Sequence, residues 1–306
     1  LGYRRSTRDQ IMFRFLSDLR EIARDAAEYG PDWQIAQAYD ALAVLLDEFT
    51  SEIARSIESG MRGQQSQDIL QYLSSSLPAL LLATPFVSTL RLLNRSRALN
   101  DKLAEAFRLD KPGAPKRVLW FTDTIADPNG VSMTMNEIAE CAYHENASLK
   151  VVACPTPAER HLQAAARILA LHCIYSVTPS FCHTHTVRFP SLLRSLDTIC
   201  DAQPDKIVIS TPGPVGVTGF LAAKLLGVPC TGVYHTDFAR HAQELTKDPQ
   251  VAEAVSGYVH GFYARMDEGL VPSQYYITQL ADRGFEPSKL RLCGRGLGAD
   301  FARIGE

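Results

Sequence analysis

From residue 116 onward, short apolar runs alternate with helical stretches, and this rhythm constrains the fold more than any other feature. Arg117-Val-Leu-Trp-Phe-Thr122 reads as a strand and is followed by a loop and a helix over Val131 to Tyr143. Leu149-Lys-Val-Val-Ala-Cys154 is the next strand. Asp205-Lys-Ile-Val-Ile-Ser210 leads through a Gly/Pro loop into a helix over Val217 to Leu226. Pro229-Cys-Thr-Gly-Val-Tyr234 is a strand that ends at His235. Gly269-Leu-Val-Pro272 and Lys289-Leu-Arg-Leu292 are short strands flanking a helix over Ser273 to Arg283. Strands that are apolar on both faces and alternate with helices imply βαβ units, hence an α/β fold with a Rossmann-like parallel sheet and flanking helices. Ligands of such sheets sit at the carboxyl ends of the strands. Four loops therefore merit inspection: Asp123 to Gly130, Thr211 to Gly219, His235 to Arg240, and Pro272-Ser273.

The first part of the chain is different. Residues 1 to 110 contain neither Cys nor His, whereas all seven Cys and all eight His follow. Asp110-Lys-Pro-Gly-Ala-Pro115 is a linker by its Pro and Gly content. Ile11, Phe15, Leu19, Ile22 and Ala26 recur at helical spacing, as do Ile35, Tyr39, Leu42, Leu46, Phe49, Ile53 and Ile57 beyond Gly30-Pro31. Two amphipathic helices broken there predict an antiparallel hairpin that buries both stripes. Ile69 to Leu90 carries no charge, is about one membrane span long, and precedes Arg91, Arg95 and Arg97. Pro78, Pro85 and Ser74-Ser75-Ser76 disfavour a lipid-exposed helix, so buried helices compete with peripheral or spanning membrane contact.

A length of 306 residues suits about two domains. A formal charge of −3 excludes a nucleic-acid binder that works by general basicity. An odd number of cysteines with no C-x-x-C points to reduced thiols and a cytoplasmic setting.

Within the loops, Asn129-Gly130 opens a helix. A glycine beside a helix N-terminus lets a phosphate approach the backbone amides, although the same turn is common as plain structure. Gly213-Pro-Val-Gly216-Val-Thr-Gly219 is not G-x-G-x-x-G, and no G-x-x-x-x-G-K-[ST] occurs. Both absences weaken a dinucleotide oxidoreductase and a P-loop NTPase. Gly216 and Gly219 read equally as close helix–strand packing. His235 and Asp237, two apart at a strand end, would point the same way on an extended segment and offer hydrogen bonds to a sugar hydroxyl. Cys182-His183-Thr-His185 has metal-ligand residue types, yet one short cluster falls short of the four ligands of a structural zinc site.

Taken in order, Phe121-Thr-Asp-Thr with Asn129-Gly130-Val131, Ser210-Thr-Pro-Gly-Pro-Val-Gly216, Leu226-Gly-Val-Pro229 with Gly232-Val-Tyr-His-Thr-Asp-Phe238, Val271-Pro-Ser273 and Gly294-Arg-Gly-Leu297 resemble the N-terminal domain of a GT-B retaining glycosyltransferase of family 4, also called group 1. The segment around Tyr-His-Thr-Asp-Phe resembles the lipid-directed hexosyltransferases and mannosyltransferases most. The resemblance covers about Lys116 to Ala302. It implies a nucleotide-sugar donor, a sugar or lipid acceptor, transfer with retention, and no metal or other cofactor. It also implies that His235 contacts the donor sugar as the catalytic residue, and that Asp123, Asn129, Gly130, Gly213, Asp237 and Ser273 line the substrate and donor cleft. In that family most donor contacts come from a second domain with a Lys/Arg pair and two Glu about eight residues apart. Here Gly294 to Phe301 resembles the start of the interdomain linker, so the expectation is an acceptor-side half, inactive alone, with the donor domain elsewhere. Residues 1 to 110 have no counterpart in the family domain and would be an added helical region. A non-catalytic Rossmann-like binding module is the competing expectation.

Overall fold

The computed structural model describes residues 7–61, 83–86, 99, 102–103, 106–107, 116–159, 168–179, 184–234 and 236–293. The uncharged run from residue 69 to 90 thus lies outside the described residues except for 83–86. No helix among the described residues is long and apolar enough to cross a membrane.

Seven parallel strands form the central sheet. In chain order they are β1 (Val118–Phe121), β2 (Leu149–Ala153), β3 (Ile168–Ala170), then, after an antiparallel pair β4 (Cys173–Val177) and β5 (Val187–Pro190), β6 (Lys206–Ile209), β7 (Cys230–Val233), β8 (Glu268–Val271) and β9 (Leu290–Leu292). Their spatial order is β3-β2-β1-β6-β7-β8-β9, with β1 pairing parallel to both β2 and β6. The order reverses at β1, so the crevice beside its carboxyl end is the topological switch point where such sheets bind ligands.

Helices cover both faces. They are α1 (Thr7–Tyr29), α2 (Pro31–Met61), α3 (Gly130–His144), α4 (Leu192–Ala202), α5 (Pro214–Leu226), α6 (Phe238–Thr246), α7 (Pro249–Tyr263) and α8 (Gln274–Asp282). The strict two-residue period of a strand decides which side chain meets which layer. From β2, Val151 and Ala153 face the cluster under α3 with Ile125, Met135 and Ala139. Val152 and Cys154 face the opposite, larger core with Leu119, Phe121, Ile207 and Ile209. Helix α5 lies close on that second face because Gly219 has no side chain: a Cβ there would come 2.7 Å from the ring of Phe121. Gly227, at φ +66°, then ends α5 in the left-handed region that a Cβ disfavours.

The six strands expected from sequence are present, with ends shifted by a residue or two. The pattern missed β3, β4, β5, α4, α6 and α7. The helical hairpin also forms, and Ile11, Phe15, Leu42, Leu46 and Phe49 are buried as its stripes predict. In the second stripe Tyr39 and Ile53 are half-buried, and two members are exposed, Ile35 at 60% and Ile57 at 37%. The hairpin is not an independent unit. Leu42, Leu45 and Phe49 belong to the same apolar core as Leu193 and Leu196 of α4 and the strands behind them. A polar clasp fixes this contact: Tyr39 Oη donates to Asp197 Oδ2 at 2.6 Å and to the Leu193 carbonyl at 3.0 Å.

Candidate functional site

The loop between β1 and α3 lies at the switch point, and its first acid turns inward. Asp123 is buried. Its carboxylate accepts from Thr211 Oγ1 at 2.7 Å and from the amides of Gly213 at 3.1 Å, Val215 at 2.8 Å and Gly216 at 3.3 Å. Those amides are the start of α5, so the carboxylate occupies the anion position that a helix N-terminus creates. Burial pushes the Asp123 carboxyl above its ordinary value, while the hydroxyl and amide donors pull it back. Gly213 makes room for this contact, since a Cβ on it would lie 2.5 Å from Asp123 Cγ. Two residues singled out from the sequence, Asp123 and Gly213, thus meet each other, and the N-terminus of α5 is filled from within.

The N-terminus of α3 is different. Asn129 is its cap, with its side-chain oxygen accepting from the Ser132 amide at 2.9 Å. Gly130 is the first helical residue, is exposed, and has nothing within 4 Å of where a Cβ would stand. Positive dipole charge and open space therefore coincide at Gly130. Met133, in the same first turn, is 67% exposed.

Farther along the edge, Asp237 caps α6, accepting from the Arg240 amide at 3.2 Å. Ser273 caps α8 with extended backbone, and its side chain makes no capping hydrogen bond. His235 lies outside the described residues. The loop after β6 is braced from α7: Tyr258 Oη donates to the Pro212 carbonyl at 2.5 Å, and the buried Tyr263 Oη donates to the carbonyls of Ser210 and Val233.

Sequence reasoning overlooked a buried ionic cluster under the first loop. Arg188 of β5 is 2% exposed. Its Nε and Nη2 meet both oxygens of Glu159, at 3.1 and 2.7 Å, and its Nη1 meets Asp127 Oδ1 at 3.0 Å. Nη1 also donates to the carbonyls of Asp123, at 3.2 Å, and Thr186, at 2.9 Å. Asp127 Oδ2 lies 2.6 Å from His185 Nδ1. Burial raises the Glu159 carboxyl, but the paired bonds from Arg188 outweigh it and hold the group below its ordinary value. Asp127 stood within the loop marked for inspection. Arg188 gave no signal, because Val-Arg-Phe-Pro looks like an exposed edge. His185 belonged to the metal-like segment, whose Cys182 and His183 lie outside the described residues. Among the described residues no group of three or more His, Cys, Asp or Glu is arranged to hold a metal.

The Glycosyltransferase Family 4 model matches residues 128–300, more than half of the chain. The chain belongs to Glycosyltransferase Family 4. The match begins within the loop that carries Asn129 and Gly130 and runs past the last described strand. No curated protein matches the sequence. Among solved structures, Anabaena Alr3699/HepE in complex with UDP and glucose is 13% identical, at a TM-score of 0.39 over 62% of this chain and 49% of that one. UDP-N-acetylglucosamine 2-epimerase from Rickettsia bellii is 11% identical, at 0.38 over 63% and 48%. The spinosyn forosaminyltransferase SpnP is 14% identical, at 0.34 over 62% and 55%. The family-4 chain described here spans about half the length of these structures.

Proposed function

We propose that this chain forms the acceptor-side wall of a glycosyltransferase that moves a sugar from a nucleotide-sugar donor to a sugar or lipid acceptor with retention. Family membership supports the reaction class. The observation that carries the reading is the contrast between two helix N-termini at the switch point. Asp123 fills that of α5, whereas that of α3 opens at Gly130 onto unoccupied space. A departing nucleoside diphosphate gains negative charge as the sugar leaves it. Fixed dipoles aimed at that charge stabilise the transition state without reorganising. Asn129 keeps the end of α3 in register, and Asp123 with Gly213 shapes the wall rather than meeting the ligand. His235, Asp237 and Ser273 are the proposed sugar-facing groups along the same edge. The uncharged run before Arg91, Arg95 and Arg97 favours a lipid acceptor at a membrane surface.

The test is a transfer assay on this chain together with a donor-side domain, using radiolabelled UDP- and GDP-sugars and a panel of octyl glycosides. A new glycosidic product with the donor's anomeric configuration is the expected result. Binding of donor and acceptor with no product under any pairing would instead favour a non-catalytic binding module.

A further inference from the structure

Asp127 places a second group of chemical interest beside the open helix end. Its amide donates to the Thr124 carbonyl at 3.1 Å, and its own carbonyl accepts from Asn129 at 2.8 Å. It is thereby tied to the α3 cap, three residues before Gly130. Its side chain is 3% exposed, and each oxygen has a separate partner: Oδ1 takes Arg188 Nη1 and Oδ2 takes His185 Nδ1. Arg188 cannot swing away, because Glu159 holds the other edge of its guanidinium and two carbonyls accept from Nη1. The carboxylate is therefore a fixed point, and the imidazole attached to it has a fixed orientation.

His185 itself is not buried. Its side chain is 38% exposed, at the mouth of the β4–β5 pair that Thr178 and Thr186 close with a 2.9 Å hydrogen bond. When Nδ1 donates to a carboxylate, a neutral ring carries its lone pair on Nε2. A rigidly oriented, partly exposed acceptor tied through Asp127 to the loop that opens α3 suits a hydroxyl group. We propose that His185, oriented by Asp127 and Arg188, accepts a hydrogen bond from a hydroxyl of the sugar or sugar-lipid acceptor. This rests on the reading of the crevice as a glycosyl-acceptor site. Asp127 and Arg188 are positioning residues in it.

Histidine-labelled chain studied by long-range proton–nitrogen NMR tests the proposal, with n-octyl β-D-glucopyranoside below its micelle concentration as the hydroxyl probe. His185→Phe assigns the resonance and leaves the Asp127–Arg188 pair in place. The expected result is a His185 ring protonated at Nδ1, an Nε2 resonance that moves on titration, and binding about tenfold weaker in His185→Phe. His185→Gln, which retains an acceptor atom, should recover part of that loss. If the probe binds but leaves His185 Nε2 unmoved, or binds His185→Phe as well as the parent, the proposal is overturned while the acceptor reading stands. If the probe does not bind the parent at all, both fall.

Discussion

The donors to the Asp123 carboxylate lie 88 to 93 residues farther along the chain. Nothing local to Thr122-Asp-Thr distinguishes such a cap from a ligand-binding acid; the contacts to α5 become visible only in the fold. Asp123→Ala would leave a buried hydroxyl and three amides without their acceptor. Each such orphan costs about 1–3 kcal/mol, and partial solvation brings the expected total to about 3–5 kcal/mol. Denaturant melts should show that loss; a variant within about 1 kcal/mol of the parent would remove the capping account. His235 presents the opposite case, since its role rests on the motif Tyr234-His-Thr-Asp237 alone. In the complete enzyme, with the donor domain present, His235→Ala should lower kcat/KM about a hundredfold, or about 3 kcal/mol, with little change in Tm. A destabilised but fully active variant would make the histidine structural.

At the scale of elements, legibility followed burial. The strands β1, β2, β6 and β7 are covered on both faces, so they read as unbroken apolar runs. Helix α6 is largely exposed and β5 carries a charge at a buried position, so neither announces itself by periodicity. Arg188 is tolerated there only because β5 runs beneath the first loop, where Glu159 and Asp127 complete its hydrogen bonds. This cluster has a pH signature. The Glu159 carboxyl is held below its ordinary value of 4.5 in the folded protein. A depressed carboxyl stabilises the fold above its unfolded pKa, and that contribution is lost as pH falls through the folded value. Stability should therefore decline from about pH 5 downward, and the decline should be shallower in Glu159→Gln. Chemical denaturation at pH 6 and pH 3 measures the difference; equal slopes for the two proteins would contradict it.

Across the whole molecule, the helical hairpin and the sheet share one core, although composition divides the chain near residue 110. Residue counts could not show this, because the join consists of side chains more than a hundred positions apart. Tyr39 to Asp197 is the clearest polar example, with a sequence separation of 158. Burial and the Asp197 contact push the Tyr39 hydroxyl well above its ordinary value, so it remains a donor at every physiological pH. Tyr39→Phe keeps the ring and removes only the donor. It should cost about 1–2 kcal/mol in a single cooperative transition. Two separated transitions in the parent protein would mean that hairpin and sheet unfold independently.

The same view of the molecule sets α3 and α5 on opposite faces of the sheet at the switch point, one helix end open and the other filled. Gly130→Trp tests that contrast directly, because open space surrounds the position and the fold should accept the larger side chain. Isothermal titration of UDP and of UDP-glucose into parent and variant is the decisive measurement. Our account predicts at least tenfold weaker binding of both ligands to Gly130→Trp at an unchanged Tm. Equal affinity in the two proteins would contradict it.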